Sequence, residues 1–131
     1  MQDNKTNRVF FSACLTESYR SCAKAIKDAL RENGIVVEKK IRNTKDIWVR
    51  DYMPIQIGEN KFMRYTYRPD YLWKVDSNRQ YITDNAQCDF LTGKEIVDCN
   101  VVLDGGNVVV CGNTMILTEK VFAENAGLSP F

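Results

Sequence analysis

Apolar residues in this chain come in short blocks, and the spacing inside each block changes from one to the next. Val9-Phe10-Phe11-Ser12-Ala13-Cys14 is dense in apolar side chains and predicts a short, mostly buried strand. From Glu17 to Asn33 the spacing becomes helical: Tyr19, Cys22 or Ala23, Ile26 and Leu30 recur on one side, with Arg20, Lys24, Lys27, Asp28 and Arg31 largely on the other. Thr16 or Ser18 is placed to cap this amphipathic helix, and Asn33-Gly34 to end it, because glycine takes the left-handed conformation at a helix C-terminus at little cost. Ile35-Val36-Val37 then opens a β-branched strand. Strand, helix and strand within the first third of the chain predict an α/β beginning with a parallel pair.

Further along, Ile55-Gln56-Ile57 and Lys61 to Tyr67 alternate on either side of Gly58-Glu59-Asn60, which predicts a hairpin with Pro54 at its entrance. Arg68-Pro69-Asp70 breaks the second strand. Tyr71 to Thr92 is the least regular segment, with a short helix expected near Thr83 to Phe90. A β-branched run from Ile96 to Leu103 leads to the turn Asp104-Gly105-Gly106. A second hairpin is expected from Asn107 to Cys111 and Thr114 to Leu117 across Gly112-Asn113. Thr118 reads as the N-cap of a last helix, with Glu119 in its first turn and Gly127 at its end. No linker or charge block divides the chain, so residues 1–131 are expected to form a single domain.

Composition narrows the function classes. The 18 basic and 17 acidic residues are interleaved, leaving a formal net charge of +1, so nothing electrostatic recruits nucleic acid or a membrane surface. The polar start Met1-Gln2-Asp3-Asn4-Lys5 lacks the apolar core of a signal peptide, and the expected location is cytoplasmic unless a leader has been removed. Five cysteines without a Cys-x-x-Cys spacing argue against a zinc site and against a complete disulfide framework. The absence of histidine removes the commonest general base and metal ligand.

The densest chemistry lies in Thr44-Lys45-Asp46-Ile47-Trp48-Val49-Arg50-Asp51-Tyr52-Met53-Pro54. Asp51 can accept a bidentate pair of hydrogen bonds from a planar cation, and Trp48 can offer that cation a π face, so a guanidinium is the natural guest. A core indole beside a surface ion pair at a loop entrance would produce the same residues.

This stretch resembles the Trp-x-Arg-Asp signature of the guanidine-modifying deiminases, in the branch that contains agmatine deiminases and bacterial peptidyl-arginine deiminases. Leu103-Asp104-Gly105-Gly106-Asn107-Val108-Val109-Val110 resembles the branch's Gly-Gly-Asn strand entrance, and Thr114 to Val121 is similar to the strand and helix start that follow it. The three stretches fall in family order and span most of the chain from about Val9 to Leu128. The resemblance implies an incomplete, pentein-like α/β propeller, about two ββαβ-type units of a pseudo-fivefold ring. It also implies hydrolysis of a guanidinium to a ureido group and ammonia, with no cofactor and no metal.

By the same resemblance Asp51 is the first of two carboxylates that grip the guanidinium, and Trp48 is the aromatic wall. Arg50 is expected to order the loop by pairing inside it, Asp104 has a supporting role, and Gly105, Gly106 and Asn107 form a structural turn. Arg64, Arg68, Tyr71, Trp73 and Arg79 of the middle segment are placed to meet a peptide or a carboxylate, or else belong to a solvated excursion. If Arg64 or Arg68 binds a carboxylate, a C-terminal peptide arginine is favoured over agmatine.

The family's Gly-His-x-Asp motif and the Gly-Gly-Asn-x-His-Cys context of its nucleophile have no match here. Cys14, Cys99 and Cys111 sit in strand-like apolar runs and Cys22 on the expected buried side of the first helix, settings that raise a thiol pKa. The chain is therefore expected to be inactive alone. The implied partners are a guanidino compound and either the remainder of the enzyme or a second copy. The alternatives are a non-catalytic guanidinium-binding module and a truncated relative that self-associates through open strand edges.

Overall fold

The structure, a computed structural model, describes residues 8–38, 40–89 and 92–127. Ser12, rather than Thr16 or Ser18, starts the first helix. Its backbone is extended and its hydroxyl accepts a hydrogen bond from the Leu15 amide at 2.9 Å, which satisfies one of the unpaired N–H groups of the first turn. The expected strand is cut short as a result. β1 is Arg8–Val9 and α1 is Ala13–Ser18, so Cys14 lies on a helix. The chain breaks at Tyr19 and resumes as α2, Arg20–Glu32.

A Schellman cap closes α2. Gly34, at φ +70°, donates to the Arg31 carbonyl at 3.0 Å and Ile35 donates to the Leu30 carbonyl at 2.9 Å. The apolar stripe of α2 is mostly uncovered among the described residues: Ala23 is buried, whereas Tyr19 and Ile26 are exposed. Cys22 is also exposed, which corrects its expected burial. β2, Val36–Val37, pairs parallel with β1, and an isolated bridge joins Ser12 to Ile41.

The signature stretch, expected as a loop, contains one helical turn, α3, Val49–Tyr52. The first hairpin forms as anticipated from β3, Ile55–Gly58, and β4, Lys61–Thr66, with Asn60 in the left-handed region at its turn. β5, Glu95–Val102, lies parallel to β4 on its other edge, so β4 is the middle strand of a mixed sheet. The crossover holds α4, Asp70–Trp73, and a 3₁₀ turn at Asp76–Tyr81.

No helix forms over the described part of Thr83 to Phe90; Phe90 itself lies outside the described residues. Side chains there are engaged elsewhere. The Asp84 carboxylate accepts from the Ala86 amide, the Thr83 hydroxyl accepts from the Lys45 amide, and the Asn85 amide donates to the Tyr65 carbonyl.

Gly105–Asn107 forms a 3₁₀ turn, followed by the second hairpin, β6, Val108–Cys111, and β7, Thr114–Leu117, and then α5, Lys120–Glu124. The Thr118 side chain makes no capping bond; Glu119 occupies the cap position. Asn125 instead ties α5 to the end of β5, accepting from the Val102 amide and donating to the Val102 and Val121 carbonyls. The sheets of this mixed α/β fold are small, and none closes on itself. Tyr52, Tyr65, Tyr67, Leu103, Val108 and Val121 form the principal buried cluster.

Candidate functional site

Three of those six core residues are tyrosines; Tyr52 belongs to the signature stretch itself and Tyr65 reaches into it from β4. The Tyr65 hydroxyl lies 2.7 Å from the Asp51 carbonyl and 3.1 Å from that of Met53, and the Tyr52 hydroxyl donates to the Asp46 carbonyl at 3.3 Å. Burial first, then nearby carboxylates, hold both phenols far above their usual range, so they remain donors at any physiological pH. The turn bearing Asp51 is thus tethered from below. The Asp46 carboxylate accepts from the Trp48 amide at 2.8 Å and fixes the approach to the turn, leaving the Trp48 indole on the surface, 64% exposed.

Against this turn lies the 104–107 turn. The Gly106 amide donates to Asp51 Oδ1 at 3.1 Å. Arg50 reaches across to the opposing turn. Its Nε donates to the Gly105 carbonyl at 3.3 Å and its Nη2 to the Val108 carbonyl at 2.8 Å, clamping together two segments more than fifty residues apart. Neither Gly105 nor Gly106 takes a positive φ. Their value is close approach: a Cβ on Gly105 would meet the Arg50 carbonyl oxygen and the Tyr65 hydroxyl, and one on Gly106 would meet Asp51 Oδ1.

Charge gathers here. Partial burial raises the Asp51 carboxyl above the usual carboxylate range, and the Asp104 charge adds to this; the Gly106 amide, Lys120 and Arg50 act in the opposite direction. Asp46 is also raised, by burial first and then by Asp51, while its bond from Trp48 opposes the shift. Asp104 accepts from Lys120 Nζ at 2.7 Å, and the same ammonium stands 3.3 Å from Glu124 and 3.4 Å from Asp70. The structure therefore brings Trp48, Arg50, Asp51, Asp104, Gly105 and Gly106 together. Asn107 is held by its backbone bond to the Asp104 carbonyl at 2.8 Å.

Arg64 lies apart from this cluster. Arg64 alternates with Tyr65 along β4, so its side chain leaves by the opposite face, where it forms a forked pair with Asp98 at 2.6 and 3.0 Å. It lines a groove of about 440 Å³ with Thr83, Asp84, Asn85, Asp98 and Asn100, none of which belongs to the paired turns. Arg68 stacks on Trp73, its guanidinium carbon 5.1 Å from the ring centroid, and Arg79 lies 4.4 Å from the same ring.

Asp46, Tyr65 and Lys120 also shape the site without having been assigned to it from the sequence. Asp46 was visible as a second carboxylate in the signature stretch. Tyr65 carried no local signal and Lys120 only its i,i+4 pairing with Glu124, because their other partners lie on other segments. Among the described residues no group of histidine, cysteine or acidic side chains is arranged to hold a metal ion, and no described helix is long and apolar enough to cross a membrane.

The scaffold is mixed α/β, and Arg50 and the Gly106 amide bring the signature turn and the 104–107 turn together on it. Residues 7–129 match the Porphyromonas-type peptidyl-arginine deiminase family, and the chain belongs to that family. No curated protein and no solved structure matches the chain.

Proposed function

We propose that this chain carries half of the guanidinium site of a deiminase that converts peptidyl arginine to its ureido product and ammonia. Asp51 grips two guanidinium nitrogens and Trp48 covers the planar face of the cation. The observation that carries the reading is the Gly106 amide on Asp51 Oδ1. That bond ties one carboxylate oxygen to the opposing turn and so orients the group, which supports a role in gripping a planar cation.

Within this reading the two turns come from successive units of an unfinished α/β propeller, and the second carboxylate, the histidine and the thiolate are supplied from outside this chain. The Cys88 thiol is a poor candidate for the nucleophile, because burial and then Asp84 and Asp89 push it up to about 11. Arg68 is the better candidate of the two arginines to hold a substrate carboxylate. Arg64 already carries Asp98, whereas the contact made by the Arg68 side chain is with the Trp73 ring. This favours a peptide ending in arginine over agmatine.

Calorimetric titration with Nα-acetylarginine, agmatine and Nα-acetyllysine tests the assignment. Saturable binding of acetylarginine that Asp51→Asn abolishes, weaker binding of agmatine, none of acetyllysine and no ureido product is the expected pattern. Binding that survives Asp51→Asn, or no binding by the native chain, would sink it. The second reading, self-association, rests on β7, where Met115, Ile116 and Leu117 are all exposed. Sedimentation showing a dimer indifferent to acetylarginine would favour that alternative.

A further inference from the structure

Lys120 opens α5 and is the meeting point of carboxylates from three segments: Asp70 at the start of α4, Asp104 at the head of the 104–107 turn, and Glu124 one helical turn on. The Asp104 and Glu124 side chains are each only 13% exposed, so both are carboxylates largely removed from water. Their remaining oxygens are poorly served. Asp104 Oδ1 and both Glu124 oxygens are buried and accept no hydrogen bond from a described residue. A single ammonium therefore carries most of the compensation for two nearly buried negative charges, and truncating one partner of such an arrangement exposes the rest to the full desolvation cost.

This matters to the site because Asp104 is covalently joined to Gly105-Gly106. Any movement of Asp104 moves the amide that holds Asp51. We propose that Lys120 is a positioning residue for the guanidinium carboxylate: by gathering Asp70, Asp104 and Glu124 on one ammonium it fixes the 104–107 turn against Asp51 and cancels the charge Asp104 would otherwise present there. The proposal rests on the guanidinium reading for its functional meaning but not for its test. The groups facing Asp51 are Asp46 from its own loop, Arg50 from α3, Tyr65 from β4 and Tyr67 just after it, the Gly106 amide and Asp104 from the opposing turn, and Lys120 from α5. Of these, Asp104 opposes ionisation of Asp51 and Lys120 favours it.

The experiment follows the Asp51 side-chain carboxyl carbon by NMR across an acid titration, without ligand. Lys120→Gln is expected to move the Asp51 midpoint to higher pH, Lys120→Arg to leave it near the native value, and Asp104→Asn to move it lower. The double variant Asp104→Asn with Lys120→Gln is expected to cancel much of the single shift. A purely structural role would lower stability in Lys120→Gln without moving the midpoint, and an unmoved midpoint overturns the proposal. Should Lys120→Gln not fold, Asp104→Asn decides on the same criterion. Acetylarginine titration of the same variants, read separately, then reports on the guanidinium site. Native binding with unshifted midpoints defeats the Lys120 role alone, and shifted midpoints without binding defeat the guanidinium reading alone.

Discussion

Gly105 and Gly106 stand side by side, yet a methyl group on each would meet a different kind of obstacle. At Gly105 the obstacles are the Arg50 carbonyl and the hydroxyl of a buried tyrosine, neither of which can move without disturbing the core. Gly105→Ala should destabilise the fold by about 1–3 kcal/mol, the usual range for overpacking a filled space. At Gly106 the obstacle is a side-chain oxygen of Asp51, which can rotate away. Gly106→Ala should therefore melt closer to the native chain while losing acetylarginine binding; equal melting losses in the two variants would contradict this. Asp51→Asn adds a sign test. The folded carboxyl is held above the range of an unfolded chain, chiefly by burial, so its ionisation opposes folding. The penalty is absent below the unfolded value, grows as pH rises from there through the raised folded value, and persists above it. Asp51→Asn should accordingly raise the melting temperature at neutral pH, and the gain should vanish in strong acid. A variant less stable than the native chain at neutral pH would show that the carboxylate is structural.

Among the elements, those with local signals were legible in advance. Both hairpins, the glycine cap of α2 and the parallel strand start follow from alternation, β-branching and turn residues. The start of α1 was misread because Val9 to Cys14 is apolar throughout, and such a run cannot say where a strand yields to a helix; the decision rests on one hydroxyl, Ser12, which is fully buried. Ser12→Ala should cost about 1 kcal/mol, a typical N-cap loss, and calorimetry on the variant would measure it. No change would mean that α1 is held by its packing and by the bond from the Ala13 amide to the Ile41 carbonyl. The segment from Thr83 was misread for a related reason. Thr83 and Asn85 serve Lys45 and Tyr65, distant in sequence, and no local pattern reveals such partners. The site follows the same rule: Asp51, Trp48 and the paired glycines were readable as motifs, while the clamp of Arg50 on Gly105 and Val108 and the convergence on Lys120 exist only once the chain is folded.

Taken whole, the molecule places its principal core directly beneath the paired turns. Tyr52 and Tyr65 belong to that core and also hold the carbonyls of Asp46 and Asp51, and Val108 belongs to it and accepts from Arg50. A ligand that bridges Asp51 and Trp48 therefore loads the same network that must break when the core unfolds. Binding to the native state alone stabilises a protein by RT ln(1 + [L]/Kd), about 2.7 kcal/mol at one hundred times Kd. Acetylarginine should thus raise the melting temperature of the native chain progressively with concentration, and do so in one transition. The effect should strengthen as pH rises through the raised Asp51 range, because only the ionised carboxylate accepts both guanidinium bonds. Differential scanning calorimetry at several pH values decides the matter. A midpoint that ignores acetylarginine at every pH would separate the turns from any guanidinium role. A rise of equal size at low and high pH would place the ligand away from Asp51.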